Sequence, residues 1–151
     1  MIEYTKRRNL NRGYMKLNVW NKSIQLFKLI QSLVDPKQVS FKMASQILDS
    51  SLSVPSNISE GYCRRHLNEY IQFCYIALAS LGETLTRSIG FKEALFFSQK
   101  DFEKIDEVHY EVENKLLKLA KSLEEKRDKK QWDDRIKEPN STYTPKTPSI
   151  Q

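Results

Sequence analysis

Four segments of the chain repeat apolar residues at steps of three and four, the spacing that lines one face of an α-helix. They cover residues 17–34, 41–62, 67–90 and 98–130. No part of the sequence shows the strict alternation of apolar and polar residues that is typical of a half-buried strand. Because short connections join the four segments, we predict an all-α fold, an antiparallel up-down four-helix bundle.

The third and fourth segments carry the most informative patterns. Residues 70–81 are apolar on nearly every side of a helix, which predicts either complete burial or one face towards the core and another towards a partner. Ser98 followed by Asp101 is typical of residues that cap a helix start, and Asn18 is the corresponding candidate for the first segment. In the fourth segment the predicted core positions are Phe102, Ile105, His109, Val112, Leu116, Leu119 and Leu123.

The second segment contains a proline, Pro55, which lacks a backbone N–H and clashes with the preceding turn of a helix. The helix must therefore kink or restart there, and Ser53 is the candidate cap for a restarted helix. The apolar stripe keeps its phase across the proline, which favours one kinked second helix. Gly61 lies near the end of this segment, where a left-handed residue is commonly required.

Three regions follow from this pattern. Residues 1–16 are polar and basic without an apolar stripe, and we interpret them as an arm that is ordered only if it docks on something. Residues 17–130 form the bundle. Residues 131–151 hold three of the five prolines together with several Ser and Thr, and we predict a disordered tail.

The net charge of +6 is unevenly distributed along the chain. Residues 1–16 carry five Lys and Arg against one acidic residue, and residues 17–97 carry eight against six. Residues 98–130 carry nine of each sign. The positive excess therefore lies in the arm and in the middle of the sequence, which permits contact with nucleic acid without requiring it.

Arginine side chains match the geometry of phosphate oxygens and are candidate nucleic-acid contacts. Arg64 and Arg65 fall in the predicted turn between the second and third helices, and the alternative interpretation pairs them with Glu60 or Glu69 in solvent. No glycine-rich phosphate loop and no base-reading motif is present, so binding is expected to follow the backbone and to depend on salt. The candidate contacts are Lys6, Arg7, Arg8, Arg12, Arg64 and Arg65.

Polar residues on the second and third helices have two interpretations. One is a functional polar site between the helices, and the other is a hydrogen-bonded network that fixes helix register or contacts another subunit. No arrangement of nucleophile, base and orienting group can be named, so we predict a protein without enzymatic activity or cofactor. The residues concerned are Asn57, Glu60, Ser80, Glu83 and Arg87, of which the last two form an i,i+4 pair.

Cysteine and histidine residues raise the question of a metal site. Cys63 and His66 together supply only half of a zinc site, and Cys74 lies in an apolar run that is typical of a core. His109 occupies a predicted core position, where a hydrogen-bonded histidine is expected. We therefore predict no bound metal.

The sequence also bears on compartment. The first 16 residues contain charges but no apolar stretch typical of a secretory signal, and no run approaches the length of a membrane span. The two cysteines are then expected to be reduced thiols. We expect a cytoplasmic protein that does not enter the membrane.

Four runs of residues resemble a known family. They are LNVWNKSIQLF, SQILDSSLSVPSNISEGYCRR, NEYIQFCYIALASLGETLTR and YEVENKLLKL. Together they look like the four-helix-bundle proteins known as 23S ribosomal-RNA intervening-sequence proteins, over about residues 9–125. The most specific run is SVPSNISEG, residues 53–61.

This resemblance implies a bacterial homopentamer with a connection to RNA. The related accessory proteins of diversity-generating retroelements share the architecture and bind nucleic acid beside a reverse transcriptase. The chain departs from the family pattern at three positions. Cys63 stands where a second glycine is common, His66 replaces a serine that would cap the third helix, and Ala79 replaces a glycine.

Two functional hypotheses follow. The first is an oligomeric accessory protein, without enzymatic activity, that binds RNA or DNA through a basic surface. The second is a protein-interaction scaffold, for example for a reverse transcriptase, without direct contact to nucleic acid. An enzyme that uses Glu60 and Glu83 is disfavoured.

Overall fold

The apolar spacing of the sequence is realised as four α-helices. The structure, a computed structural model, describes residues 3–64 and 66–132. A short 3-10 helix over Leu10–Lys16 comes first and is followed by α1 (Asn18–Leu33), α2 (Phe41–Tyr62), α3 (Leu67–Glu93) and α4 (Gln99–Asp128). Each α-helix packs on the next one in the chain, and α4 packs on α1, which closes the bundle. The prediction of an all-α antiparallel bundle is confirmed.

Two of the four α-helices, α2 and α4, begin with a side-chain cap, and α1 and α3 begin without one. The Ser40 hydroxyl accepts a hydrogen bond from the backbone N–H of Met43 at the start of α2. Ser98 accepts one from the N–H of Asp101 at the start of α4, as predicted. The prediction that Asn18 caps α1 is wrong, because Asn18 is already helical and the capping position is taken by Leu17, without a side-chain bond.

The second helix runs without interruption through Pro55, whose side chain is buried. Ser53 does not cap a restarted helix, since its hydroxyl donates to the carbonyl of Asp49 at 2.7 Å. The Ser56 hydroxyl donates in the same way to the carbonyl of Leu52 at 2.8 Å. Such bonds to the preceding turn, and the N–H that proline lacks, are both features that bend helices.

The glycine near the end of α2 has a different role from the predicted one. No glycine in the described part of the chain has a positive φ, so Gly61 does not supply a left-handed residue. A Cβ atom at Gly61 would lie 2.7 Å from the Cβ of Phe73 on α3. The glycine is required because α2 and α3 approach each other closely at this level.

The core of the bundle follows the predicted stripes. The fully buried side chains include Leu26 from α1, Ile58 from α2, Leu81 from α3 and Leu116 from α4. Of the predicted core positions of α4, Phe102 and Leu119 are only partly buried. The buried ones are Ile105, His109, Val112, Leu116 and Leu123.

Candidate nucleic-acid interface

The segment that precedes α1 lies against the bundle. The ring of Tyr14 in the 3-10 helix lies 5.4 Å from that of Trp20 and 6.1 Å from that of Tyr62. The ring of Tyr4 also contacts Trp20, edge-on, with 5.4 Å between the ring centres. The Asn21 amide donates to the carbonyls of Met15 and Leu17 at 2.8 and 3.0 Å. The predicted arm is therefore held on the bundle by aromatic contacts and by a buried amide.

The same segment touches the turn that follows α2. The Cys63 thiol donates to the carbonyl of Asn11 at 3.3 Å, and burial raises the pKa of this thiol. Arg12 and Arg64 come directly after these two residues in the sequence. Two basic segments that are far apart in the chain are thus brought to one end of the bundle.

Arg64 is largely occupied by protein partners at this end. Its guanidinium lies 2.8 Å from Glu60 and 3.7 Å from Glu69, and it stacks over the ring of Phe73 at 5.1 Å. This is the solvated pairing that we considered as the alternative to phosphate binding. Arg65 lies outside the described residues.

The arm presents cations of two kinds. Arg8 pairs with Glu3 at 2.8 Å, and Arg12 donates to the carbonyl of Arg7 at 3.3 Å. Lys6 and Arg7 are exposed and make no ion pair within the described part of the chain. Lys6 and Arg7 are therefore the arm residues whose charge is most available to a ligand.

A further group of cations was missed by the sequence reasoning. Lys126 and Arg127 lie in the last turn of α4, and Lys129 and Lys130 follow it directly. This segment lies beside the start of α3 and thus at the same end of the bundle. The charge balance over residues 98–130 conceals them, because nine cations there offset nine acidic residues. The signal was present in the sequence, since residues 126–130 hold four cations and one acidic residue.

The chain folds back after α4. Lys130 has a positive φ of 52°, and the N–H of Gln131 donates to the carbonyl of Lys126 at 2.9 Å, which closes a Schellman turn. The next residue, Trp132, packs against the core, with its ring 6.5 Å from that of Tyr70. Trp132 belongs to the predicted tail, of which residues 133–151 lie outside the described part.

The polar residues predicted to act together on α2 and α3 have mostly local partners. Asn57 donates to the carbonyl of Ser53, one turn earlier in α2, and Glu60 accepts from Arg64. The predicted pair of Glu83 and Arg87 is confirmed, with a separation of 2.7 Å. Arg87 also reaches the side chain of Gln46 on α2 at 3.3 Å, and Ser80 accepts through its carbonyl from Thr84.

The buried polar contacts of the bundle lie elsewhere. The hydroxyl oxygens of Thr84 and Ser50 lie 3.2 Å apart, a polar contact between α3 and α2 inside the core. His109 of α4 is buried as predicted, and its Nε2 lies 2.7 Å from the carbonyl oxygen of Leu81. The side chains of Ser50, Thr84 and His109 therefore have protein partners inside the core.

Neither free thiol belongs to a metal cluster in the described residues. No group of three or more His, Cys, Asp and Glu side chains in residues 3–64 and 66–132 is placed to hold a metal ion. Cys63 is exposed in the turn, and Cys74 is buried. Burial raises the pKa of Cys74 to about 12, so this thiol stays protonated.

One face of α3 is open to solvent in the single chain. A Cβ atom at Gly82 would have no neighbour within 4 Å. Tyr75 and Ile76 are 47% and 39% exposed, respectively, although the run around them is apolar. We call this surface the outer α3 face, and it consists of Tyr75, Ile76, Ala79, Gly82, Thr86 and Ile89.

These observations describe a four-helix bundle with one basic end and an open face on its third helix. The family model of the 23S rRNA-intervening sequence proteins matches residues 15–118. This match covers more than half of the chain, and the protein belongs to this family. The resemblance found in the sequence is therefore confirmed.

A solved structure supports the fold. The bundle is similar to a protein of unknown function from the S23 ribosomal protein family of Bacteroides thetaiotaomicron, with a TM-score of 0.64 and 24% sequence identity. The similarity covers 68% of this chain and 98% of that one. No curated protein matches the chain.

The helices also bear on membrane insertion. Within the described residues, none of them combines the length and the apolar character that crossing a bilayer requires.

Proposed function

We propose that the protein is an oligomeric cytoplasmic accessory protein, without enzymatic activity, that binds RNA along its phosphate backbone. The observation that carries this proposal is the contact between Cys63 and Asn11, which brings the basic arm to the end of the bundle that holds Arg64. The last turn of α4 adds its cations at the same end. The name of the family connects it with ribosomal RNA.

The chemistry of this end favours backbone contacts over base recognition. Its available groups are exposed lysine and arginine side chains, which attract phosphates of any sequence. Affinity should then fall steeply as salt rises, because counterions released from the nucleic acid supply much of the binding free energy. Arg64 is expected to contribute less than Lys6 and Arg7, since its charge is shared with Glu60 and Glu69.

Self-association is the second part of the proposal. The outer α3 face combines small residues, which let helices approach, with exposed apolar ones such as Ile76. A helix that is apolar on both sides is expected to bury both, one in its own core and the other against a partner. We propose a homopentamer, the assembly implied by the family resemblance. Repetition of the basic end around one axis would then increase affinity for a single polyanion through avidity.

A scaffold function is the second candidate, and it is favoured by a different observation. Phe41 at the start of α2 and Leu95 after α3 are 89% and 85% exposed, respectively. Both lie at the end of the bundle opposite the basic one, where they could contact a protein such as a reverse transcriptase. On this alternative the protein binds its partner without touching nucleic acid.

Retention of RNA by the full-length protein separates the two candidates. We expect single-stranded and structured RNA to be retained at about 50 mM salt and released by about 200 mM. A protein that retains no RNA at the lower salt, but binds a purified reverse transcriptase after nuclease treatment, would favour the scaffold.

A further inference from the structure

A cleft lies where the start of α3 meets the last turn of α4. It has a volume of about 290 Å³. Its lining comes from the two helix ends and from the residue that follows the Schellman turn, namely His66, Leu67, Asn68, Lys126, Arg127, Lys130 and Trp132. The cleft is distinct from the arm, which packs on α1 and α2.

The charges that line the cleft are positive. Lys126 and Lys130 make no ion pair with a carboxylate in the described part of the chain, whereas Arg127 pairs with Asp128 at 3.2 Å. Glu69, in the first turn of α3, lies 3.7 Å from Arg64 and does not line the cleft. Two lysine ammonium groups therefore lack a carboxylate partner of their own at this site.

The start of α3 adds to the same field. His66 occupies the capping position and makes no side-chain bond to the first turn of the helix. The unpaired N–H groups of a first helical turn carry partial positive charge and favour anions. The partial positive charge at the start of α3 adds to the charge of the lysines at the end of α4. It does not define the site by itself.

The indole of Trp132 forms one side of the cleft. Its Nε1–H is a buried donor with no acceptor within the described residues, and Lys126 lies 5.7 Å from the centre of its ring. Phosphate oxygens carry the negative charge that the two lysines would neutralise, and they accept charge-assisted hydrogen bonds from ammonium groups. The volume of the cleft is at the lower limit for small-ligand sites. A cleft of this size suits a phosphate group with its sugar better than a folded protein segment.

We propose that this cleft is a phosphate-binding site, in which Lys126 and Lys130 hold one backbone phosphate of a bound RNA strand. The RNA source of the phosphate rests on the function proposed above. Lys126 in the last turn of α4 and Lys130 just after the helix would make this contact, in a segment whose cations are concealed by the balanced charge of residues 98–130.

Two measurements on the full-length protein test the site. The first is RNA affinity of the variant Lys126→Glu with Lys130→Glu, compared with Lys118→Glu with Lys121→Glu. Both variants change the net charge of the protein equally, but Lys118 and Lys121 are exposed outside the cleft. We expect the cleft variant to lose roughly tenfold or more in affinity and the control to stay within about twofold.

The second measurement does not depend on RNA. The protein has two tryptophans, so labelling with 5-fluorotryptophan gives one fluorine signal for Trp20 and one for Trp132, assigned with Trp132→Phe. Inorganic phosphate, titrated at constant ionic strength, should shift the Trp132 signal saturably and leave that of Trp20 in place. A Trp132 signal that does not respond would overturn the cleft assignment.

The remaining outcomes separate the two proposals. RNA binding by the parent that the cleft variant retains in full would overturn the site and leave the proposed function standing. A parent that binds no RNA would remove the proposed function, and the phosphate titration would then decide the cleft alone. If the protein bound a polyglutamate peptide as tightly as it binds RNA, the cleft would be assigned to acidic protein partners. The assignment as a nucleic-acid site would then be overturned.

Discussion

The ring of Trp132 lies 6.5 Å from that of Tyr70, although Trp132 comes after the end of α4 and Tyr70 belongs to α3. The contact extends the packed bundle beyond the last helical residue, Asp128. The positive φ of Lys130 makes it possible, because a left-handed residue reverses the chain direction. Trp132 thereby connects the stability of the bundle to the shape of its basic end.

The free energy of unfolding should therefore depend on whether a C-terminal truncation removes Trp132. Removal of residues 133–151 should change the free energy of unfolding by less than about 0.5 kcal/mol, since they carry no periodic apolar stripe. Removal of residues 131–151 also deletes Trp132 and should lower it by about 1–3 kcal/mol. Urea unfolding followed by circular dichroism measures both, and equal stability of the two truncated proteins would contradict the packing of Trp132.

The turn after α3 contains a strained leucine. Leu95 has a φ of 64°, and the N–H of Phe96 donates to the carbonyl of Phe91 at 2.8 Å in a second Schellman turn. A left-handed conformation costs a non-glycine residue about 1–2 kcal/mol. We predict that Leu95→Gly raises the free energy of unfolding by about 0.5–1 kcal/mol, after the entropy that glycine loses on folding.

Leu95→Ala is the matched control, because it removes the same exposed side chain but keeps the Cβ atom. Its stability should stay within about 0.3 kcal/mol of the parent. If alanine stabilised the protein as much as glycine, the cause would be the loss of the exposed side chain rather than relief of backbone strain.

Two glycines should respond in opposite directions to alanine. Gly61→Ala places a methyl group 2.7 Å from the Cβ of Phe73 and should lower the free energy of unfolding by about 1–3 kcal/mol. A Cβ atom at Gly90 would have no neighbour within 4 Å, and Gly90→Ala should raise the free energy of unfolding by about 0.5–1 kcal/mol. Thermal and urea unfolding test the pair, and a neutral Gly61→Ala would show that α2 and α3 can separate at this level without loss.

The outer α3 face predicts how assembly can be broken. Ala79→Arg adds a large charged side chain at an exposed position of this face, and arginine is a good helix former, so the fold of the single chain should persist. Ser122→Arg, exposed on α4, is the control. Light scattering should show a lower mass for Ala79→Arg only, with unchanged helicity for both, and an unchanged mass for Ala79→Arg would exclude this face as the interface.

The sequence predicts the helices well because their signals are local. The limits of α2 match the predicted ones, and α3 extends three residues further than predicted, to Glu93. The role of Gly61 could not be deduced in this way, since it depends on how closely Phe73 approaches from another helix. Docking of the arm escaped prediction for the same reason, as the aromatic partners of Tyr14 lie on α1 and α2.

The candidate site shows the same division. The basic residues could be listed from the sequence, but their availability depends on neighbours in space. Arg64 is paired with Glu60, whereas Lys126 has no carboxylate partner within the described residues and lines a cleft. The charge counted over the whole fourth segment concealed Lys126, because acidic residues elsewhere on α4 cancelled the positive charge at its end.

The most direct test of the account is a polarisation titration of fluorescent structured RNA at two salt concentrations. It compares the parent with two double variants. One, Lys6→Glu with Arg7→Glu, alters exposed cations of the arm, and the other, Lys118→Glu with Lys121→Glu, alters exposed cations of α4. Light scattering must first show the same oligomer for all three proteins. We predict steeply salt-dependent binding by the parent and by the Lys118→Glu, Lys121→Glu variant. The arm variant should bind more weakly, with a salt slope smaller by about 1.4–1.8. Equal affinities for the two variants, or no binding by the parent at low salt, would contradict RNA binding through the basic arm.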